Sequence, residues 1–432
     1  MLRENPIGIW AETHFDQPIV QGFAFGRFAV VSEPNAIRKI LVENSAQYRK
    51  SAIQTRVLSV ALRDGLLTVE GEQWRRQRRL LAPLFSRRTV MRFTPTMATA
   101  IDGLIGRWRG HEEGRVLDIG AEMNRITLDV LARTCFAGGL AGDPEAMRVA
   151  MTTYFEIAGR IDPFDLLGFP DFVPRLTRWK VQPMLRYFEE AVSAIVVARK
   201  SELASSPEDS PRDLLSALLS ARDPETGQPL SEVEAKANIL TMIAAGQETT
   251  ANALTWALFL LSQSPEWRER VRAEAEIEFD GEVDGLADRL TTTRAVIDEA
   301  LRLYPPITAT SRTAGQRDEL AGQVIERGTL VVIAPYVLHR HRQLWNDPDL
   351  FDPSRFLAGA ERKIERGAYM PFGVGARMCL GASFAHQEAT LVLASLVKNF
   401  ALCMAPGQSV WPQQGITLRP RDPLLMTAKA RA

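Results

Sequence analysis

Pro371-Phe372-Gly373-Val374-Gly375-Ala376-Arg377-Met378-Cys379-Leu380-Gly381 sets three glycines and an arginine around one cysteine, directly before a helical pattern running from about Ala382 to Phe400. Glycine tolerates positive φ and lets backbone approach a ligand closely, so Gly373 and Gly375 predict a tight turn whose amides point at sulfur. Gly381 would leave room for a flat macrocycle. A cysteine at a helix N-terminus meets a positive partial field, which favours thiolate, the form that binds metal. An arbitrary cysteine is more often a small buried hydrophobe; it is the surroundings of Cys379 that point to a metal ligand.

The rest of the chain is compatible with one large helical domain spanning residues 1–432. Its 432 residues are 46% hydrophobic, far from the composition of disordered chains, and no stretch reads as a strong linker. Lys and Arg (52) balance Asp and Glu (52), which leaves a weak long-range field and no footprint for nucleic acid. Cys135, Cys379 and Cys403 include no C-x-x-C pair, which argues against a disulfide framework or a four-cysteine zinc site and for a reducing compartment. The first ten residues lack the apolar core of a signal peptide. The longest apolar runs, such as 257–261, fall far short of the roughly 20 residues that span a bilayer. A cytoplasmic protein with no transmembrane anchor is expected.

Apolar residues spaced by three and four predict helices over 72–84, 89–108, 120–136, 143–159, 182–203, 213–221, 231–263 and 265–278. Alternation around Gly22 and Gly26 predicts a hairpin within 17–32, and strand-like pieces recur at 318–334 and 415–427. The polar run 205–211 reads as an exposed loop. The fold class expected is mainly α with a small β side.

Ser231 and Glu234 have the spacing of a capping box, and the helix they open continues to about Ser262, roughly 48 Å long. Its middle reads Ala244-Ala245-Gly246-Gln247-Glu248-Thr249-Thr250. Glycine costs about 1 kcal/mol in a helix interior; Gly246 lies one turn from Thr249 and is expected to leave space beside that hydroxyl. Further on, Glu299 and Arg302 share a helix face that Pro305 and Pro306 terminate. Trp74 and Arg78 share another.

Taken together these segments resemble the cytochrome P-450 family, in the family's order and over roughly residues 24–430. The cysteine loop has the family's phenylalanine, spaced glycines and arginine at the same intervals before the ligand. The resemblance implies a single-domain triangular helical prism holding haem b (iron protoporphyrin IX), with Cys379 as axial metal ligand, Phe372 shielding its sulfur and Gly381 beside the macrocycle. It assigns Arg377 to a haem propionate, Trp74 and Arg78 to a haem propionate, and Arg312 to the other. Glu248 and Thr249 match the acid and alcohol that deliver protons during dioxygen activation; the family more often has aspartate where Glu248 stands. Glu299, Arg302 and Arg355, the last in Phe351-Asp352-Pro353-Ser354-Arg355-Phe356, match a structural Glu-Arg-Arg network. Ala245, Ile307, Thr308, Ala309 and Thr310 fall where the family's substrate pocket receives side chains. The apolar stretch 154–174, with Phe155, Phe164, Leu166, Leu167, Phe169 and Phe172, is a candidate roof.

The reaction implied is hydroxylation or epoxidation of an apolar small molecule by a monomeric monooxygenase with no fused reductase. Electrons come from NAD(P)H through a separate ferredoxin or flavodoxin and its reductase. Arg75, Arg76, Arg79, Arg87 and Arg88 offer a basic patch for an acidic donor. A peroxygenase or haem-thiolate isomerase is the rival within enzymes, and a non-catalytic haem-binding sensor the rival outside them.

Overall fold

The computed structural model describes residues 6–24, 26–112, 114–137, 143–158, 176–205, 213–283 and 285–431. The longer helices are α1 (Ala52–Leu62), α2 (Gly71–Leu81), α3 (Thr94–Arg109), α4 (Ile119–Phe136), α5 (Pro144–Ala158), α6 (Leu176–Ser205), α7 (Glu232–Ser262), α8 (Pro265–Glu278), α9 (Thr291–Leu303) and α10 (Ala382–Asn399). A five-stranded sheet lies beside them, built from β1 (Ile19–Phe23), β2 (Arg27–Val31), β3 (Tyr48–Lys50), β4 (Thr310–Ala314) and β5 (Leu330–Ile333). Its order is β1-β2-β5-β4-β3, with only the β2–β5 pair parallel. The mainly α class with a small β side is therefore what the chain adopts.

Helix α7 organises the helical part. Ser231 accepts from the Glu234 amide and Glu234 accepts from the Ser231 amide, the reciprocal cap that its sequence predicts. Pro265 opens α8, so the chain turns where the long helix ends. Most of α7 is buried all the way round, against α4, α9 and α10, as expected of a helix with an apolar perimeter at the centre of a domain. Trp256 stacks face to face on Tyr304, centroids 3.9 Å apart, which pins α7 to the end of α9.

Two apolar cores result. One fills the space between the helices, and a smaller one, including Ala29, Val31, Ile37, Ile40, Tyr48, Val331 and Ile333, lies against the five-stranded sheet. Sequence reading found most helices and the β1–β2 hairpin, but not β3, whose three residues are too few to show alternation, nor β4, where the alternating side chains are polar. Within the 205–211 run, all but Ser205 lies outside the described residues.

Glu299 and Arg302 are both fully buried rather than at a surface. Arg302 donates bidentately to Glu299 at 2.6 and 2.7 Å, and also to the carbonyls of His339, Pro348 and Leu350. Arg355 approaches Glu299 at 3.6 Å, while the Asp352 amide donates to the same carboxylate at 2.9 Å. The side chains of α9 thus tie down the chain over 339–355, which leads into the cysteine loop. Among the described residues no helix is long and apolar enough to cross a membrane.

Candidate functional site

The cysteine loop adopts the glycine conformations its sequence requires. Gly373 and Gly375 have φ of 72° and 77°, and a Cβ at Gly375 would lie 2.4 Å from the Leu41 carbonyl oxygen, so no larger residue fits there. The amides that reach the sulfur differ from expectation. They are those of Gly381 and Ala382, at the start of α10, not those of the turn; the Cys379 amide itself donates to the Phe372 carbonyl at 2.9 Å. The cause is geometric, because the first amides of a helix have no intrahelical acceptor and project beyond its end. Burial pushes the Cys379 thiol up, against the pull of those two amides and of the Arg78 guanidinium. The helix N-terminus alone therefore does not hold it as thiolate, and a bound cation would have to expel the proton. Phe372 packs at 4.7 Å against the His386 ring, one turn into α10.

Beside the cysteine stands a concentration of cations. Arg78 donates to the Met378 carbonyl at 2.7 Å. Arg377 donates to the Val69 carbonyl, pairs with Glu70 at 3.1 Å and lies 4.3 Å over the Trp74 ring. Arg312, on β4, is buried and within electrostatic reach of Arg377. Lys50, at the end of β3, pairs with Arg312 across the ladder and donates to the Leu67 carbonyl; burial first, then Arg377 and Arg312, push it down to about 7 against the opposing pull of Glu70. Sequence reading passed over Lys50 because nothing in Tyr48-Arg49-Lys50 marks a site; only the fold brings it to Arg312.

On α7, Thr249 donates to the Ala245 carbonyl at 2.6 Å. Ala245 is exposed and Thr249 half-buried, although both lie midway along a helix whose neighbouring residues are buried. That face is not packed against the described residues. Glu248 points elsewhere: it is buried, accepts a hydrogen bond from Thr417, and leaves its second oxygen without a partner among the described residues. Burial pushes its carboxyl up to about 6, with Arg419 pulling down and Glu156 pushing up. The expectation for Gly246 is corrected. A Cβ there would meet the Leu131 side chain at 3.2 Å, so this glycine permits the close packing of α4 on α7 and leaves no special room beside Thr249.

After α9 ends, Ile307 is exposed, Thr308 is buried with its hydroxyl unpartnered, and Ala309 and Thr310 are half-buried. Of the candidate roof, Tyr154 and Phe155 are buried on α5, the Tyr154 ring edge-on to those of Phe155 and Phe188; Phe164, Leu166, Leu167, Phe169 and Phe172 lie outside the described residues. The basic patch is largely neutralised. Arg76 pairs with Glu234, Arg79 with Asp223 and Glu225, Arg75 with Glu72, and Arg87 with Asp288.

An iron porphyrin suits this donor set. A thiol receiving helix-terminal amides suits a soft-ligand metal site. Lys50, Arg78, Arg312 and Arg377 together have Glu70 as the carboxylate that pairs within the group, and two propionates would supply the missing negative charge.

Comparison with known proteins agrees with this geometry. The cytochrome P450 family model matches residues 22–427. Cyclooctatin synthase of Streptomyces melanosporofaciens is 33% identical over 92% of this chain and 85% of its own length. Pentalenene oxygenase of Streptomyces avermitilis is 31% identical over 89% and 83%. The crystal structure of a cytochrome P450 (CYP102L1) superposes with a TM-score of 0.85 at 27% identity, covering 97% of this chain and 93% of that one. The chain belongs to the cytochrome P450 family, and monooxygenation with haem and dioxygen is the activity that comes with it.

Proposed function

We propose that this cytochrome P450 hydroxylates or epoxidises a terpenoid hydrocarbon, with Cys379 as the iron ligand and with electrons from a separate ferredoxin, or flavodoxin, and its reductase. The cation cluster around the exposed Cys379, just before α10, carries the site assignment. The terpenoid class is supported by relatives named cyclooctatin synthase, cyclooctat-9-en-7-ol 5-monooxygenase and pentalenene oxygenase.

When bound, haem supplies the oxidising chemistry: dioxygen, two electrons and two protons yield one oxygen atom in the product and one water. The protein's part is to bind, orient and move protons. Trp74, Arg78 and Arg377 would hold one propionate and Lys50 and Arg312 the other, with Phe372 and Gly381 beside the sulfur. Thr249 orients a water by hydrogen bonding, and Glu248 passes protons toward it from the adjoining face of α7. Ala245, Ile307, Thr308, Ala309 and Thr310 shape the substrate side. That acid and alcohol favour a monooxygenase over a peroxygenase or isomerase, which need neither.

Titrating the holoenzyme with sesquiterpene and diterpene hydrocarbons, fatty acids and planar aromatics, while following the haem spin state, tests the substrate class. Cyclic terpenes should give the largest shifts and yield oxygenated products with NADH, a ferredoxin and its reductase; tight binding confined to fatty acids would refute it.

Glu248→Gln keeps the shape and loses the proton. Donor-driven product formation should fall by about 100-fold. Since Glu248 holds its proton below about pH 6, wild-type turnover limited by proton delivery falls as pH rises through that value, and the variant should lack this limb in its pH–rate profile.

Lys50→Met removes one charge-assisted hydrogen bond and should speed haem transfer to an apo-globin acceptor by about tenfold. A neighbouring propionate raises the Lys50 pKa, so its contribution is complete below about pH 7 and is lost as pH climbs through the raised value. The gap between wild type and variant should therefore narrow in alkali.

A further inference from the structure

A small polar cavity of about 30 Å³ lies against α7, lined by Asn124, Thr152, Gln247, Glu248, Asn252 and Arg419 among others. A space of that size holds one or two waters when polar groups surround it. Two buried oxygens among the lining residues, Glu248 Oε2 and Gln247 Oε1, have no hydrogen-bond partner among the described residues. Buried acceptors of this kind are almost always satisfied, so water is the partner that fits. Thr417 fixes the other side of the carboxylate: its hydroxyl donates to Glu248 and accepts from Asn252 at 3.0 Å. Two residues further on, in the strand Leu418–Pro420, Arg419 reaches from the cavity to an ion pair with Glu156 at 3.2 Å, with both side chains partly exposed. Cavity, carboxylate and surface are thus contiguous.

We infer that Glu248 is recharged with protons from solvent through this cavity, and that Thr417 and Arg419 are positioning residues that hold its carboxylate on the cavity side. The inference rests on Glu248 being the proton relay proposed above, and adds the route and the two residues that govern it. Each turnover takes up two protons. The Glu248 acid gives its proton toward the Thr249 side and becomes a carboxylate; a cavity water then returns a proton to it and is itself recharged from bulk solvent past the Arg419–Glu156 pair. No bond other than O–H changes and the residues end as they began. The groups facing Glu248 set its proton affinity: the Thr417 hydrogen bond and the Arg419 charge favour the anion, Glu156 and burial the acid.

Asn124→Leu is the direct test. Among the described residues the Asn124 side chain bonds only to the Gly120 carbonyl within its own helix, so the fold should tolerate an apolar side chain that takes the water's place. With the terpene hydrocarbon giving the largest spin shift, and NADH, ferredoxin and reductase supplied, product per NADH should fall by about tenfold, with hydrogen peroxide in its place and a larger solvent isotope effect. Product formation driven by added hydrogen peroxide, which brings its own protons and electrons, should be unchanged.

A second readout needs no turnover. The infrared carbonyl band of protonated Glu248, assigned by its loss in Glu248→Gln, should exchange in heavy water more slowly in Asn124→Leu, and should persist to higher pH in Arg419→Gln, which lacks the cation that favours the anion. Wild-type coupling and exchange in Asn124→Leu, with coupling lost in Glu248→Gln, would overturn the route and leave the relay standing. Undiminished coupling in Glu248→Gln would overturn both.

Discussion

Cys379→His should keep an iron ligand and lose the enzyme. An imidazole can bind iron, so the variant should still take up haem. It brings no negative charge, however, while the Gly381 and Ala382 amides and the Arg78 guanidinium all face the position of the sulfur, an arrangement that suits an anion and gives a neutral ring nothing. The ferrous carbon monoxide complex should lose the red-shifted band of thiolate ligation, because that shift follows electron donation from sulfur. Donor-driven turnover should fall by about three orders of magnitude or more, equivalent to some 4 kcal/mol of barrier. A histidine variant that kept the red-shifted band would show that Cys379 is not the ligand.

Arg302→Met should give the largest loss of stability among single changes in the network. It removes both bonds to Glu299 and all those to the carbonyls of His339, Pro348 and Leu350. The Glu299 carboxylate remains fully buried, with the Asp352 amide at 2.9 Å and Arg355 at 3.6 Å as its remaining partners. Breaking a buried pair on one side costs about 3–5 kcal/mol, a large part of the roughly 5–15 kcal/mol that holds a domain folded. Urea unfolding of the holoenzyme should show a midpoint well below wild type. The double variant Glu299→Gln/Arg302→Met, which leaves no buried charge there, should recover part of the loss.

The pH dependence of Arg302→Met has a definite sign. Burial already holds the Glu299 carboxyl above the usual carboxylate range against the pull of Arg302. Without Arg302 it rises further, so the penalty for a buried anion applies in full above the raised value and disappears below the unfolded-state value of about 4.3. The deficit of the variant should therefore be greatest at neutral and alkaline pH and shrink on acidification.

What was legible in the sequence followed how locally each feature is encoded. The Ser231–Glu234 cap, the α7 span and the left-handed glycines of the cysteine loop depend on residues within a few positions of each other, and they appear as read. Gly246 was misread because its partner, Leu131, lies on another helix far away in sequence. The pairing of the basic patch was not legible either: Arg76 and Arg79 meet acids from beyond residue 220. Lys50, Thr417 and Arg419 have no local signal at all. Their placement depends on strand pairing and on the docking of the C-terminal hairpin against α7.

The division into two apolar cores also bears on how the molecule is assembled. Lys50 and Arg312 belong to strands of the sheet, whereas Trp74 and Arg78 belong to α2 and Arg377 to the cysteine loop. Like charges thus face each other across the junction, with the Glu70 carboxylate shared among them and leaving a net positive charge there. The propionates would act as a rivet, joining sheet and helices at the moment the prosthetic group is inserted. Loading the prosthetic group should therefore raise the stability of the folded chain.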